Sequence, residues 1–409
     1  MKIAIIGGGA AGLMAAASAR EANLDAEIIL IEKNEALGKK VVISGGGRCN
    51  VTTGIHDVRT VLSKYPRGDK FLSSAMYAFP PDAIAAWFES HGVPLKTEDD
   101  QRVFPCSDDG KDIVRVFETL FRDANVRIMT RASVVRITKS DSDFSVSLKD
   151  GESLNVDRVI LTTGGQAYRQ TGSTGDGYAF AVSLGHSLTE LAPSLSSLST
   201  RETWTAEVSG LSFENARISS KTSKATTTGP FLFTHKGISG PAIFAFSSLV
   251  AFEKFDGDSP LEIIIDLFPT EPVELLQKRI FAAAQESPKA EMKTILSAII
   301  PKSLAIILSR EAGTDERRGH ELSKIDTRIL AAWMKGLPLS VTGRGVGDEF
   351  VTAGGINLKE VNPKTMESLL CPGLFFAGEI LDIDGFTGGF NLTASWATGR
   401  TAGQNAAKN

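Results

Sequence analysis

Sulfur is scarce in this chain. Its 409 residues include three cysteines, Cys49, Cys106 and Cys371, too far apart for a C-x-x-C or metal-ligand spacing. That excludes a disulfide framework and a thiolate metal cluster, and it suits a reducing compartment. Histidines number five and are scattered, so no metal site is expected. Long apolar runs are missing too. The densest, such as Ile263-Ile264-Ile265, fall far short of the ~20 residues that span a bilayer and read as buried strands. A basic excess is also absent: the formal net charge is −4, which leaves no overall electrostatic footprint for nucleic acid. A soluble, cytoplasmic protein is the expectation, long enough for two or three domains.

Glycine is abundant, at 39 residues, and it clusters where chemistry is expected. Residues 2–6 are an apolar strand that ends in Gly7-Gly8-Gly9-Ala10-Ala11-Gly12, after which residues 13–23 read as an alanine-rich helix. The spacing is G-x-G-x-x-G. Gly7 serves the tight turn, Gly9 the close approach of backbone to a pyrophosphate, and Gly12 the packing of helix on strand, while the amides around Ala10 and Ala11 face the phosphates at the positive end of the helix. A second strand, residues 27–31, delivers Glu32 twenty residues beyond Gly12, where a carboxylate accepts a ribose hydroxyl, with Lys33 beside it. A secretory leader would not carry four glycines in its apolar core, nor give Glu32 a reason to stand there.

A second glycine loop follows. Lys40, then Ser44-Gly45-Gly46-Gly47-Arg48-Cys49-Asn50, offers backbone amides for a ligand and two cations for its phosphates. Cys49 has no resolving partner nearby in sequence and reads as a packed thiol rather than a redox centre. Helical spacing occupies residues 69–77, 81–91 and 111–123, with Arg102-Val103-Phe104-Pro105 an extended break in which Arg102 is either a solvated charge or an anion contact. A three-stranded meander over residues 133–156 then feeds an apolar strand, 158–161, ending in Thr163-Gly164-Gly165. Two-part FAD domains return to their cofactor in this way. Asp176, in the loop 172–177, either caps the helix that follows or works near the flavin.

Residues 191–268 are rich in serine and threonine and read as short strands. In them His235 lies in a glycine-broken loop leading to Pro241. Residues 269–339 are again helical, and 340–409 return to glycine chemistry, with Gly378-Glu379 after a strand and Gly388-Gly389-Phe390-Asn391-Leu392 before a helix expected over 393–407. The fold class expected is therefore α/β: a Rossmann-like two-part FAD-binding domain (1–190 and 340–409), an inserted β-rich, barrel-like domain (191–268) and a small inserted helical domain (269–339).

The segments 7–12, 44–50, 102–105, 172–177, 233–241 and 373–392 together resemble the three-domain bacterial NAD(P)/FAD-dependent oxidoreductases of the BaiN/RdsA type, a family that includes aminoacetone oxidase. The resemblance implies FAD, with Glu32 on the adenosine ribose, Val134 near the adenine, Glu379 on the ribityl chain and Gly388 to Leu392 beside the flavin pyrimidine edge. The chain departs from the family pattern at Arg169, Thr53 and Thr393, where proline, asparagine and glutamine are common. His235, Asp176 and Arg102 are the candidates for positioning substrate or moving a proton. A second G-x-G-x-x-G, which would mark a dedicated nicotinamide domain, is absent, so either NADH or NADPH binds transiently over the flavin as reductant, or the substrate itself reduces the flavin and oxygen reoxidises it. Family activities make reduction of a conjugated C=C bond, such as uridine in ribosomal RNA, the first expectation, ahead of enone reduction or oxidation of a small amine or amino ketone. A binding module for RNA or protein, stabilised by FAD, is the alternative from another class.

Overall fold

The computed structural model describes residues 1–124, 126–345 and 349–408. The chain divides into two compact units, Met1–Ser194 with Glu349–Asn409, and Leu195–Asp348.

The first unit is built on a parallel sheet. Its five strands run in the order Leu374–Phe376, Arg158–Leu161, Lys2–Ile6, Glu27–Ile31, Arg127–Met129, with Ile5 level with Ile160 on one side and Leu30 on the other. Both faces of a parallel sheet are covered, which is why these strands read as unbroken apolar runs; Ile3, Ala4 and Ile5 are wholly buried. Each of four neighbouring strands ends at a segment singled out from the sequence: Gly7, Glu32, the Thr163-Gly164-Gly165 return, and Gly378-Glu379. The carboxyl ends of such strands are where doubly wound folds bind ligands. A meander of Val134–Lys139, Phe144–Leu148 and Ser153–Val156 follows the expectation.

The helix Ala10–Ala22 packs against Phe390–Ala406. Small residues set the separation: a Cβ on Gly399 or Gly403 would fall 2.4 or 2.2 Å from the carbonyl oxygens of Ala11 and Ala15. The C-terminal helix begins at Phe390 rather than 393, because Gly389, at φ 88°, turns the chain into it and makes residues 390–392 its first turn.

The second unit is a closed barrel of six antiparallel strands. In order they are Leu198–Thr200, Gly237–Ser239, Thr226–Thr234, Ser212–Ser220, Leu261–Asp266 and Leu337–Arg344, the last pairing back on the first. The helices Val273–Glu286, Lys302–Glu311 and Lys324–Lys335 lie in sequence between the fifth and sixth strands. The β-rich segment therefore does not end at 268, nor do residues 340–344 rejoin the nucleotide-binding part. Leu337, Leu339 and Val341 alternate inward, each fully buried, and complete the barrel core after the helical excursion.

Candidate cofactor site

The first glycine turn separates into packing and open positions. Gly7 sits at φ 107°, where a Cβ would lie 2.5 Å from the Thr162 carbonyl oxygen, and a Cβ on Gly12 would lie 1.9 Å from the Gly7 carbonyl oxygen. Both glycines are required by the protein itself. Gly9 differs, since a Cβ there would meet nothing within 4 Å. The helix that starts at Ala10 has no side-chain cap, so its first amides and its dipole face that open space. Glu32 is buried beside the turn, accepting from the Gly8 amide (2.7 Å) and from Asn34 N and Nδ2 (2.8 and 2.7 Å).

The second glycine segment is a short helix, Lys39–Ile43, followed by a tight turn, Ser44–Gly47. Gly46 and Gly47 lie at φ 74° and 92°, with open space where side chains would stand. The Arg48 guanidinium lies over Phe104, its carbon 3.8 Å from the ring centre, and bonds Glu98 at 2.6 Å. Arg102 shares the same carboxylate from its other oxygen (3.2 Å) and adds Asp100 (2.6 Å). Asn50 bridges two segments, its carboxamide donating to the Thr52 carbonyl (3.0 Å) and accepting from the Gly389 amide (2.8 Å).

Cys49 is fully buried and burial pushes its thiol up to about 12. It is therefore protonated and unreactive near neutral pH, as a packed thiol should be. Alkylation of the folded protein is expected to modify the exposed Cys106 and to spare Cys49 and the buried Cys371; peptide masses carrying the label on Cys49 would contradict this.

The C-terminal segments meet the first two. Glu379 accepts from Lys40 Nζ (2.8 Å) and from the Thr352 amide (2.9 Å). Asn391 folds its own loop, accepting from Gly385 N (2.9 Å) and donating to Gly385 O (2.8 Å). The C-terminal helix, like the first, has no side-chain cap at its N-terminus. Thr163 Oγ1 is buried without a hydrogen-bond partner, next to Gly164 at φ 73° and Gly165. Val134 opens the first meander strand. Of the three departures, Thr393 is buried with its hydroxyl 2.9 Å from that of Thr52, Thr53 bonds the Gln101 carbonyl at 3.3 Å, and Arg169 is exposed.

Asp176 and Arg102, both in the first unit, are held by different partners. Asp176 is the first residue of the helix Asp176–Ser183 and holds Lys33 at 2.6 Å and Thr174 at 2.5 Å. Burial pushes its carboxyl up, but the bonds from Lys33 and Thr174 outweigh that and hold it below the usual carboxylate range. It is an anion at neutral pH. Arg102 is committed to Glu98 and Asp100. His235 stands exposed in the turn between Thr226–Thr234 and Gly237–Ser239 of the barrel unit. Among the described residues no group of three or more His, Cys, Asp or Glu side chains could hold a metal ion, and no helix is long and apolar enough to cross a membrane.

One further set carries no local signal in the sequence. His186 is buried, with Nε2 2.8 Å from Ser368 Oγ and Nδ1 3.2 Å from Glu360 Oε2. The order Ser, His, Glu resembles an acyl-transfer relay, but Ser368 is buried and its oxygen already accepts the Leu370 and Cys371 amides (3.0 and 2.7 Å). With its lone pairs engaged, it fastens a loop rather than attacks a substrate. Burial lowers the affinity of His186 for a proton more than Glu360 restores it. A depressed folded value means the unfolded chain binds the proton first, so stability is full above about pH 6.5 and falls as the pH drops below it. Melting curves between pH 7.5 and 5 should fall less steeply for His186→Asn than for the wild type, and equal slopes would refute the assignment.

The cradle suits a dinucleotide. Open space lies over Gly9, Gly46 and Gly47, two helix N-termini are uncapped, and Thr163 offers an unpartnered hydroxyl. Lys33, Lys40 and Arg48 are each already paired with a carboxylate, so backbone amides and helix dipoles are left to meet a pyrophosphate. The family described as "HI0933-like protein Rossmann domain" matches residues 1–405. The chain belongs to this family. With it comes the enzyme class, an FAD-dependent oxidoreductase, as the resemblance implied. Among family relatives, the chain is 31% identical to a 3-dehydro-bile acid delta(4,6)-reductase of Clostridium scindens, over all of this chain and 99% of the relative. It is 29% identical to a ribosomal RNA dihydrouridine synthase of Haemophilus influenzae, over 96% of this chain and 95% of the other. Among solved structures, a flavocytochrome c3 fumarate reductase in its open conformation matches with a TM-score of 0.52 at 18% identity, covering 99% of this chain and 78% of that one. A 3-ketosteroid delta1-dehydrogenase from Sterolibacterium denitrificans matches at 0.51 and 11%, covering 99% of each. At such identities these two speak for the fold alone.

Proposed function

We propose that this protein is an NAD(P)H-fed reductase of a carbon–carbon double bond conjugated to a carbonyl, with uridine in ribosomal RNA as its first substrate. One observation carries the reading: the family relatives that match nearly end to end are named for removing such a double bond, in a 3-dehydro-bile acid and in uridine. The chain's single G-x-G-x-x-G supports a nicotinamide that visits the site in turn with the substrate rather than occupying a domain of its own. A cytoplasmic location fits the RNA reading.

FAD, when bound, supplies hydride transfer. In this proposal Gly7, Gly9, Ala10, Ala11 and Gly12 present amides to the pyrophosphate, Glu32 takes the ribose, and Val134 lines the adenine. Glu379, oriented by Lys40 and Thr352, accepts from the ribityl chain, and Gly388 to Leu392 contact the flavin's polar edge. The turn 44–50 and the return 163–165 close the cradle. Arg102 and Arg48 brace that turn against Phe104, Asp176 holds Lys33 beside Glu32, and exposed His235, in the barrel unit, is kept as a candidate for donating a proton or orienting substrate. The small-molecule branch is favoured by the acidic net charge.

The test gives holoprotein, reduced anaerobically by NADPH or NADH, either unmodified ribosomal RNA or a steroid dienone. Flavin reoxidation with RNA, and uridine gaining two hydrogens by nucleoside mass spectrometry, is the result expected. Reoxidation by the dienone alone would move the substrate to enones, and reoxidation by oxygen alone would remove the reductase reading.

A further inference from the structure

Residues 64–68, between the helices Val58–Leu62 and Asp69–Ala78 of the first unit, grip the loop that precedes the C-terminal helix. Asp384, in that loop, is fully buried. Arg67 donates to both of its carboxylate oxygens, from Nε to Oδ1 and from Nη2 to Oδ2, and Ser194 Oγ adds a bond of 2.8 Å. Arg67 and Asp384 also face each other in an antiparallel bridge. On either side, the Phe386 amide donates to the Lys64 carbonyl (3.0 Å) and the buried Tyr65 hydroxyl donates to the Phe390 carbonyl (2.6 Å). Gly68, at φ 79°, comes so near that a Cβ would lie 2.6 Å from the Ile383 side chain.

A buried ion pair adds little net stability, because desolvation roughly cancels the attraction, whereas breaking it leaves a stranded charge. Its effect is to select one arrangement of the two segments. Here the selected arrangement is that of residues 384–390, which include Gly388 to Phe390 and run on to Leu392. Lys64, Tyr65 and Arg67 reach the loop from more than three hundred residues away in sequence and Ser194 from 190, adding to the local bonds between Asn391 and Gly385.

We propose that Arg67 is a positioning residue for the flavin, acting through Asp384 to hold the 385–392 backbone at the flavin's polar edge. This rests on the FAD assignment of that loop given above. Such a role affects how tightly and at what potential the flavin is held, which a purely structural brace would leave unchanged.

The experiment compares wild-type holoprotein with Arg67→Lys, which keeps the charge but loses the two-pronged bond. FAD affinity is measured by flavin fluorescence, the flavin midpoint potential by dye equilibration, and the melting temperature with and without added FAD. Arg67→Lys is expected to weaken FAD by about tenfold and to displace the potential, because a site loosened at its supporting contacts loses alignment. Should it fail to fold, Ser194→Ala and Tyr65→Phe each remove a single bond and are expected to act in the same direction by two- to threefold. Folded variants with wild-type affinity and potential, or with only a lowered melting temperature, would overturn the proposal. A wild-type protein that binds no FAD would instead overturn the cofactor assignment, before any variant is compared.

Discussion

Gly9→Ala is expected to weaken FAD binding by roughly ten- to hundredfold while leaving the cofactor-free protein as stable as before. Gly9 has φ −82° and ψ −171°, which alanine adopts without strain, and a Cβ there meets no protein atom within 4 Å. Nothing in the folded chain resists the methyl group. The conflict arises only with a ligand pressed against the backbone, where one added methyl overpacks the contact by about 1–3 kcal/mol. The melting temperature without FAD should stay within about 2 °C of wild type. Fluorescence titration with FAD checks the affinity; an unchanged dissociation constant would mean that the pyrophosphate does not approach this glycine.

Gly12→Ala, three residues on, should do the opposite and damage the fold first. Its Cβ would fall 1.9 Å from the Gly7 carbonyl oxygen and 2.7 Å from Thr162 Oγ1. The Gly7 carbonyl is backbone and cannot yield, and Thr162 Oγ1 is tied to the Ile6 and Gly7 carbonyls, so helix and strand must separate. Overpacking of this kind costs about 3 kcal/mol or more, which corresponds to a fall of roughly 6–12 °C in melting temperature for a unit of this size. FAD binding would fail as a consequence. A variant that melts like the wild type would show that helix and strand are not in contact through Gly12. The contrast between two glycines of one motif separates the requirement of the fold from that of the ligand.

The parts of the molecule legible in the sequence are those written over short distances. Gly7 to Gly12, Glu32 at the next strand end, and the strand leading to Thr163 are each a run of apolar residues ending at a polar or glycine turn, and the sheet places them side by side. The barrel was only half legible. Its strands from Leu198 to Asp266 announce themselves by serine- and threonine-rich alternation, but Leu337–Arg344 closes it from beyond about seventy residues of helix, and no local signal ties that strand to Leu198–Thr200. Arg67 and Asp384 stand 317 positions apart, and His186 and Ser368 stand 182 apart. Each looks like an ordinary surface residue until the fold buries it against its partner. Asp176 was ambiguous for another reason: an acid at a helix start is favourable in itself, and only the position of Lys33 shows which contact it makes.

The central claim is most directly tested by adding NADH or NADPH to the purified holoprotein without oxygen and following the flavin absorbance band. Bleaching at a rate that keeps pace with turnover is the predicted result, since one nucleotide cradle then serves a flavin that a nicotinamide reduces in passing. A flavin that stays oxidised with either donor at millimolar concentration would contradict the account.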